Sequence, residues 1–273
     1  LDWIFIFPLG MGVEGAAIAT SISISIGGFM ALGYLLWRAK DLKLIRLKMS
    51  AKSIALAFRN VGYHCRIGSS TLLGELALAV MFYVGNRVFM HYLGDTGVGA
   101  YGIACYYMPF FFMVGNSIAQ SAQPIISYNY GIDRWTRIVE ARKVLLMTCL
   151  GFGVAVSLIF ILFPKGLVGL FIPIESEAAI IAINGFPLLS IGILFFILNV
   201  AIIGYYQSVE RMGKATLYVF LRGFVFIVPC FLILPKFLGT VGIWLAMPAS
   251  ELLTSLFIAL SVLPSRLKSL RKR

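Results

Sequence analysis

The chain has 273 residues, of which 60% are hydrophobic and only 12% are charged, and its net charge at pH 7 is +12. A soluble domain carries about 25% charged residues, so the composition excludes an ordinary soluble globular fold and indicates an integral membrane protein. The basic excess alone would suit a nucleic-acid-binding protein, but the positions of the basic residues argue against that class.

Seven apolar runs are long enough to cross a membrane as helices. A hydrocarbon core about 30 Å thick requires roughly 20 helical residues. In chain order the runs are 16–37, 67–92, 98–127, 144–163, 178–206, 215–234 and 241–263. They are continuously apolar, unlike the alternating strands of a membrane barrel, and helices satisfy every backbone polar group internally. The sequence therefore predicts an all-α polytopic membrane protein with seven transmembrane helices.

The basic residues divide the predicted loops into two sides. Of 23 lysines and arginines, 18 lie in four patches, and all four fall on one side when the chain is followed through its seven runs. The patches are Arg38 to Arg59, Arg134 to Lys143, Arg211 with Lys214, and Arg266 to Arg273. The opposite loops hold only Lys165 and Lys236. By the positive-inside rule we expect the patches and the C-terminus in the cytoplasm, in contact with the lipid bilayer and with no role for nucleic acid.

The N-terminal end is then expected outside the membrane, and it starts at Leu1. The first run is preceded by neither the basic segment nor the small-residue cleavage site of a signal peptide. We therefore expect further spans upstream of this sequence.

A short internal repeat links the first run to the last. At offsets of 4, 7, 11 and 15 from Pro8 stand Gly12, Gly15, Ala19 and Ser23. At the same offsets from Pro235 stand Gly239, Gly242, Ala246 and Ser250. Six spans separate the copies, so both have the same orientation, as in a parallel repeat of six-helix halves. The repeat predicts that these two runs are helix six and helix twelve of a twelve-helix protein, with about five helices upstream.

Two carboxylates, Glu75 and Glu251, lie well inside the runs. An ionisable side chain inside the bilayer costs at least ~2.5 kcal/mol, which makes it a functional candidate. A buried carboxylate can bind Na+ or exchange protons near neutral pH, so Glu75 is the main candidate for ion coupling; a structural bond to a neighbouring helix is the alternative. We assign Glu251, Arg87 and Arg222 as structural intramembrane charges, although Arg222 could also snorkel to the cytoplasmic surface.

Other polar side chains stand in the third and fifth runs. Such side chains usually join helices by hydrogen bonds, and lining a solvated cavity is the competing interpretation. The candidates for contact with substrate in a cavity are Tyr107, Asn116, Gln120 and Tyr205. Prolines within the runs predict bent helices, which are common around transporter cavities. These prolines are Pro109, Pro187, Pro229 and Pro248.

The sequence offers no constellation for catalysis. It contains no P-loop, no HExxH motif and no nucleophile elbow, and its two histidines, His64 and His91, are solitary. The four cysteines have neither metal-ligand nor disulfide spacing. We expect a protein that is not an enzyme and that holds no cofactor or metal, apart from a coupling ion, Na+ or H+.

Several stretches resemble the multidrug and toxic compound extrusion (MATE) family. Residues 12–20 resemble the start of that family's helix six, and residues 97–103 resemble the beginning of its helix eight. Residues 120–131, ending in Tyr-Asn-Tyr-Gly, resemble the exit of that helix. Residues 221–223 and 242–251 resemble helices eleven and twelve. The order and spacing of these motifs extend the resemblance over nearly the whole chain.

The resemblance implies a twelve-helix secondary transporter with two pseudo-symmetric six-helix lobes in the cell membrane. Such a protein exports small lipophilic or cationic compounds in exchange for Na+ or H+. On this basis we expect residues 1–37 to end the N-terminal lobe, 38–59 to form a basic cytoplasmic loop, 60–263 to form the C-terminal lobe and 264–273 to form a basic tail. The rest of the N-terminal lobe would be the partner of this chain.

The resemblance also implies residues for ion coupling. Glu75 matches the helix-seven glutamate that takes part in cation coupling in similar bacterial members. Some members add an aspartate on helix ten; this chain has none, and Asn199 is the nearest polar candidate. Other functions remain open. One is a lipid-linked oligosaccharide flippase of a related fold, which would favour more intramembrane cations than this chain has. The others are a half-transporter inactive by itself, a non-transporting membrane scaffold and a membrane-embedded enzyme.

Overall fold

A computed structural model describes residues 1–38 and 50–270 of the chain. It divides into two compact units, Leu1–Asn60 and Val61–Arg273. The division lies one residue from the predicted start of the C-terminal lobe at residue 60. Residues 39–49 of the predicted interlobe loop and 271–273 of the predicted tail lie outside the described residues.

The first unit is built on a short helix, α1 (Asp2–Ile6), which packs against a long apolar helix, α2 (Gly12–Trp37). Two glycines with positive φ, Gly10 and Gly12, form the turn between them. Gly15 then allows a close approach of the two helices, because a Cβ there would lie 2.9 Å from the carbonyl oxygen of Phe5. The unit also includes residues 51–60 of the next helix.

The second unit consists of helices joined by short turns. Helix α3 (Ala51–Gly131) is interrupted at Gly94, which gives segments α3a (51–93) and α3b (95–131). The helices α4 (Trp135–Leu162), α5 (Pro164–Gly169), α6 (Glu177–Ser208) and α7 (Met212–Phe220) follow. A π-helical turn (Leu221–Phe226) leads into α8 (Ile227–Leu270), which is interrupted at Gly239 to give α8a (227–238) and α8b (240–270).

The helices confirm the predicted all-α membrane fold. Five helical stretches of the described residues are long and apolar enough to cross a membrane. Two of them contain a glycine with non-helical backbone, Gly94 (φ 64°) and Gly239 (φ 57°). The described part of the chain therefore holds seven apolar helical segments, as the sequence predicts. The interruptions fall at these glycines, whereas Pro109 and Pro187 lie inside continuous helical stretches.

Helix α6 lies at the centre of the second unit, packed against α4 and α8. Lipid-embedded helices associate through close van der Waals packing, for which small residues at the crossing points are needed. A Cβ on Gly192 would lie 2.6 Å from Cα of Pro248, and one on Gly185 would collide with the indole of Trp244. These glycines let α8b lie directly against α6, which places the polar residues of α8b beside those of α6.

The repeat found in the sequence is also a repeat of local structure. Its first glycines, Gly12 and Gly239, both have positive φ, at 54° and 57°. Its second glycines, Gly15 and Gly242, both lie where a Cβ would collide with a carbonyl group of the preceding segment. Both copies thus form a tight turn followed by a helix. The assignment of the two helices as six and twelve of a longer protein remains a prediction.

Candidate functional site

The second unit encloses a cavity of about 390 Å³ between α3a, α3b, α6, α7 and the π-helical turn. This volume is typical of small-molecule sites, which combine apolar walls with a few oriented polar groups. The apolar part of the wall includes Phe112, Val200, Ile203 and Val219. The polar residues that line it are Tyr63, Ser70, Thr71, Asn116, Gln120, Gln123, Ser127, Tyr130, Gln207, Ser208, Glu210 and Arg222.

Amide side chains on α3b form one side of the cavity. Asn116, Gln120 and Gln123 follow at intervals of four and three residues, so they share one face of the helix. Across from them, Nε2 of Gln207 on α6 donates a hydrogen bond to Oγ of Ser70 on α3a at 2.9 Å. This bond ties α6 to α3a beside the cavity. The result is a wall of uncharged donors and acceptors that can meet ligands of varied shape.

Another wall carries a buried ion pair between the π-helical turn and α8b. Nε of Arg222 donates to Oε1 of Glu251 at 2.6 Å, and the two side chains are 5% and 4% exposed. Nδ2 of Asn199 donates to Oε2 of Glu251 at 2.8 Å and to its backbone carbonyl at 2.9 Å. Oγ of Ser255 donates to Oδ1 of Asn199 at 2.9 Å. Both carboxylate oxygens are therefore occupied and the pair is neutral, as burial of charge in a membrane demands.

Local backbone structure holds Arg222 in place. It lies in the π-helical turn, a geometry that is rare and frequently found at functional sites. The next residue, Gly223, packs so closely on α3a that a Cβ would collide with the methyl group of Ala77. The guanidinium carbon lies 4.1 Å from the centroid of the Phe196 ring. Packing of Gly223 on α3a therefore holds the backbone, and contacts with Phe196 on α6 and Glu251 on α8b hold the side chain.

Glu210 is the single carboxylate among the described residues that line the cavity. It follows the end of α6 in the left-handed region, with φ 55°, and its N–H and that of Arg211 bond to carbonyls of the last turn at 3.1 and 2.9 Å. This is the hydrogen-bond pattern of a Schellman helix ending. The hydroxyl of Tyr63 donates to Oε1 of Glu210 at 3.3 Å. Repulsion from the Glu210 carboxylate raises the pKa of Tyr63, which precedes the second predicted span, and keeps it a donor.

The same helix ending recurs at the end of α3b with a different environment. Asp133 also has φ 55°, and its N–H and that of Arg134 bond to carbonyls of the preceding turn at 3.2 and 2.9 Å. Asp133 does not line the cavity. Of these two acidic residues in equivalent backbone positions, Glu210 lines the candidate site and Asp133 does not.

Two of the four residues predicted to contact substrate line the cavity, and the other two do not. Asn116 and Gln120 line the cavity, whereas Tyr107 and Tyr205 lie away from it. The hydroxyl of Tyr107 donates to the carbonyl of Leu167 at 2.9 Å, and its ring packs into an aromatic cluster of the core. The ring of Tyr205 contacts the guanidinium of Arg142 on α4, outside the cavity. The polarity of these tyrosines is therefore used in packing.

The two residues predicted for ion coupling lie in different surroundings. Glu75 is exposed on α3a and does not line the cavity, although its neighbour Gly74 does. Asn199 is fully buried and bonded to Glu251. The predicted joint role of Glu75 and Asn199 in coupling stays a prediction. Among the described residues, no cluster of three or more His, Cys, Asp or Glu side chains could hold a metal ion.

The three predicted structural charges also differ. Arg222 and Glu251 pair with each other, so Arg222 does not reach the surface by snorkelling. Arg87 is exposed, and its guanidinium carbon lies 5.7 Å from the centroid of the Tyr83 ring. The described residues give Arg87 no carboxylate partner. Sequence reasoning treated Arg222 as a structural charge and missed that it also lines the cavity.

Comparison with known proteins relates this chain to a protein family. The MatE family model matches residues 71–232. Multidrug export protein MepA of Staphylococcus saprophyticus is 26% identical over 267 residues, covering 96% of this chain and 56% of that protein. Probable multidrug resistance protein NorM of Rhizobium meliloti is 28% identical over 193 residues, covering 69% of this chain and 39% of that protein. The chain thus spans about half the length, or less, of these curated relatives.

Solved structures share the fold. A multidrug resistance MATE family transporter of the MOP superfamily, in an outward-facing conformation, matches with a TM-score of 0.82 and 20% identity, over 100% of this chain and 60% of that one. A MOP superfamily transporter from Pyrococcus furiosus matches with a TM-score of 0.78 and 20% identity, over 97% of this chain and 60% of that one.

Proposed function

Because the chain belongs to the MatE family, we propose that it is part of a multidrug efflux transporter that exports lipophilic organic cations in exchange for Na+ or H+. The family match confirms the resemblance seen in the sequence. Two relatives are described as a multidrug export protein and a probable multidrug resistance protein, which supports the substrate class. Both extend beyond this chain, and in this proposal the remainder supplies the other lobe and completes alternating access.

The observation that carries the proposal is the cavity with Glu210 on its wall. The charge of Arg222 is balanced by Glu251, so among the described residues of the lining Glu210 leaves one unbalanced negative charge. Tyrosine rings beside a carboxylate favour organic cations through cation–π attraction. The next basic residues along the chain do not oppose this, since neither Arg211 nor Lys214 lines the cavity.

Coupling to an ion is assigned to Glu75. Its carboxylate is exposed on α3a within the second unit, one residue after the cavity-lining Gly74. An accessible carboxylate can take up Na+ or H+ and release it without breaking a hydrogen-bond network. The ion drives export only if it binds the two conformations of the transporter with different affinity. Asn199 is bonded to Glu251 and Ser255, so in this proposal its influence on the step is indirect.

The test is efflux of ethidium from proteoliposomes that contain the full-length protein, with Na+ and H+ gradients imposed separately. We expect one gradient to drive dye movement and Glu75→Gln to abolish it while the protein stays folded. The control is Asp95→Asn, which removes an exposed carboxylate at the start of α3b, beside the Gly94 turn. Absence of dye movement under both gradients would contradict export, and normal movement in Glu75→Gln would contradict the coupling assignment.

A further inference from the structure

The guanidinium of Arg222 has more hydrogen-bond donors than its surroundings occupy. A guanidinium carries five N–H groups, one on Nε and four on the two Nη atoms. The Nε group bonds to Glu251. Within the part of the chain that the structure describes, the Nη groups have no hydrogen-bond partner. The side chain is nevertheless only 5% exposed and lines the cavity.

Two sides of this guanidinium are covered. Phe196 covers one face of its plane, and Glu251 holds its Nε edge. The buried side of the network is completed by Asn199, which occupies the second carboxylate oxygen. The Nη atoms are not among the fully buried, unpartnered atoms of the described residues, so they reach the cavity that Arg222 lines, where an acceptor on a bound compound can take the place of water. A fixed planar fork of N–H groups also gives directional recognition that a lysine would not.

We propose that the Nη edge of Arg222 faces the cavity and binds an uncharged oxygen acceptor, such as a carbonyl oxygen, on the transported compound. This inference rests on the proposed export of organic cations and adds a second recognition element to it. The charge on the wall favours an uncharged oxygen, because Glu251 already balances Arg222. A carboxylate on the ligand would add an uncompensated negative charge to a cavity that Glu210 already makes negative. The preferred substrates are therefore organic cations that also carry a carbonyl group.

A pair of ligands that differ in one oxygen tests this directly. N-methyl-4-benzoylpyridinium and N-methyl-4-benzylpyridinium are both monocations of similar shape, and they differ by a ketone in place of a methylene group. Their affinities are measured by calorimetry on the full-length protein in lipid nanodiscs. We expect the ketone to bind about tenfold more tightly, the effect of one hydrogen bond to a charged donor. A third ligand, N-methyl-4-(4-carboxybenzyl)pyridinium, is expected to bind more weakly than the ketone.

Substitutions then assign the effect to one residue. Arg222→Lys keeps a cation for Glu251 but removes the Nη fork, and we expect the preference for the ketone to disappear. Arg87→Lys is the matched control, because Arg87 is also an arginine within a span but is exposed and does not line the cavity; its preference should match the unmodified protein. If Arg222→Lys does not fold, the double variant Arg222→Met with Glu251→Leu removes both charges and every side-chain donor at position 222, and it serves the same purpose.

The outcomes separate the two proposals. Equal affinity of the unmodified protein for the ketone and the methylene ligand would overturn this inference and leave export of cations standing. A ketone preference that persists in Arg222→Lys would overturn the assignment to Arg222. Tightest binding of the carboxylate ligand would overturn the preference for an uncharged oxygen. No binding of any of the three ligands would overturn the proposed function and this inference with it.

Discussion

The two carboxylates inside the predicted spans look alike in the sequence but are held in opposite ways. Glu251 is buried, and its oxygens are occupied by Arg222 and Asn199. Glu75 is exposed on α3a, and the described residues give it no ion pair or hydrogen bond. A carboxylate in a satisfied neutral network resists exchange of its partner, whereas an accessible one can take up and release an ion. The difference teaches that position within a predicted span does not distinguish a structural carboxylate from a candidate for ion coupling, whereas the partners of each carboxylate do.

The largest expected effect follows from breaking the network of Glu251. Glu251→Ala leaves the charge of Arg222 buried without its counter-charge, and we expect the free energy of unfolding to fall by about 3–5 kcal/mol. Glu75→Ala removes no hydrogen bond among the described residues and should change it by less than ~0.5 kcal/mol. The measurement is the unfolding midpoint in an SDS titration followed by circular dichroism.

A double variant sharpens this comparison. Replacing both partners, Arg222→Met with Glu251→Leu, removes the unpaired charge as well as the bond, so most of the lost stability should return. The same titration measures it. If Glu251→Ala were no more harmful than Glu75→Ala, the buried pair would contribute nothing and the contrast between the two carboxylates would fail.

The next effect concerns the contact between the helical segment that carries Arg222 and α3a, which carries Glu75. Gly223 follows Arg222, and it packs against Ala77 on α3a, two residues after Glu75. Gly223→Ala forces an overlap with the methyl group of Ala77, which should cost about 1–3 kcal/mol of unfolding free energy. Gly102→Ala is the matched control, because a Cβ there meets no atom within 4 Å. Its only effect is the gain in helix propensity, up to ~1 kcal/mol. Equal stabilisation by both substitutions would show that α3a does not depend on this contact.

Much of this fold could be predicted from hydropathy and from glycine positions. The seven runs were visible because lipid requires long apolar helices, and the repeated glycines marked real turns at Gly12 and Gly239. The ion pair could not be predicted, since Arg222 and Glu251 are 29 residues apart and lie on different helical segments. Pairing across segments depends on the rotation of each helix about its axis, which hydropathy does not report when a helix is apolar all round.

The candidate site shows the same limit. Asn116 and Gln120 were candidates because they are polar side chains within an apolar run, and both line the cavity. Tyr107 was predicted to contact substrate, but it does not line the cavity. Its hydroxyl donates to the carbonyl of Leu167 on α5, and no local sequence pattern indicates this bond. Glu210 was overlooked because it lies in a predicted loop beside basic residues. Its role depends on the turn that ends α6, which directs it to the cavity.

The smallest expected effect separates the two acidic helix endings. Glu210→Gln removes the negative charge from the cavity wall, and we expect affinity for N-methyl-4-benzylpyridinium to fall about threefold to fivefold at low salt. Asp133→Asn removes an equivalent charge outside the cavity and should leave affinity unchanged. The loss in Glu210→Gln should shrink as salt rises, because the screening length falls from about 10 Å at 0.1 M to about 3 Å at 1 M. Equal losses in both variants would assign the attraction to the charge of the helix ends in general. A loss confined to Glu210→Gln would make this carboxylate the group that attracts the cation. Arg222 would then select among the cations that enter the cavity.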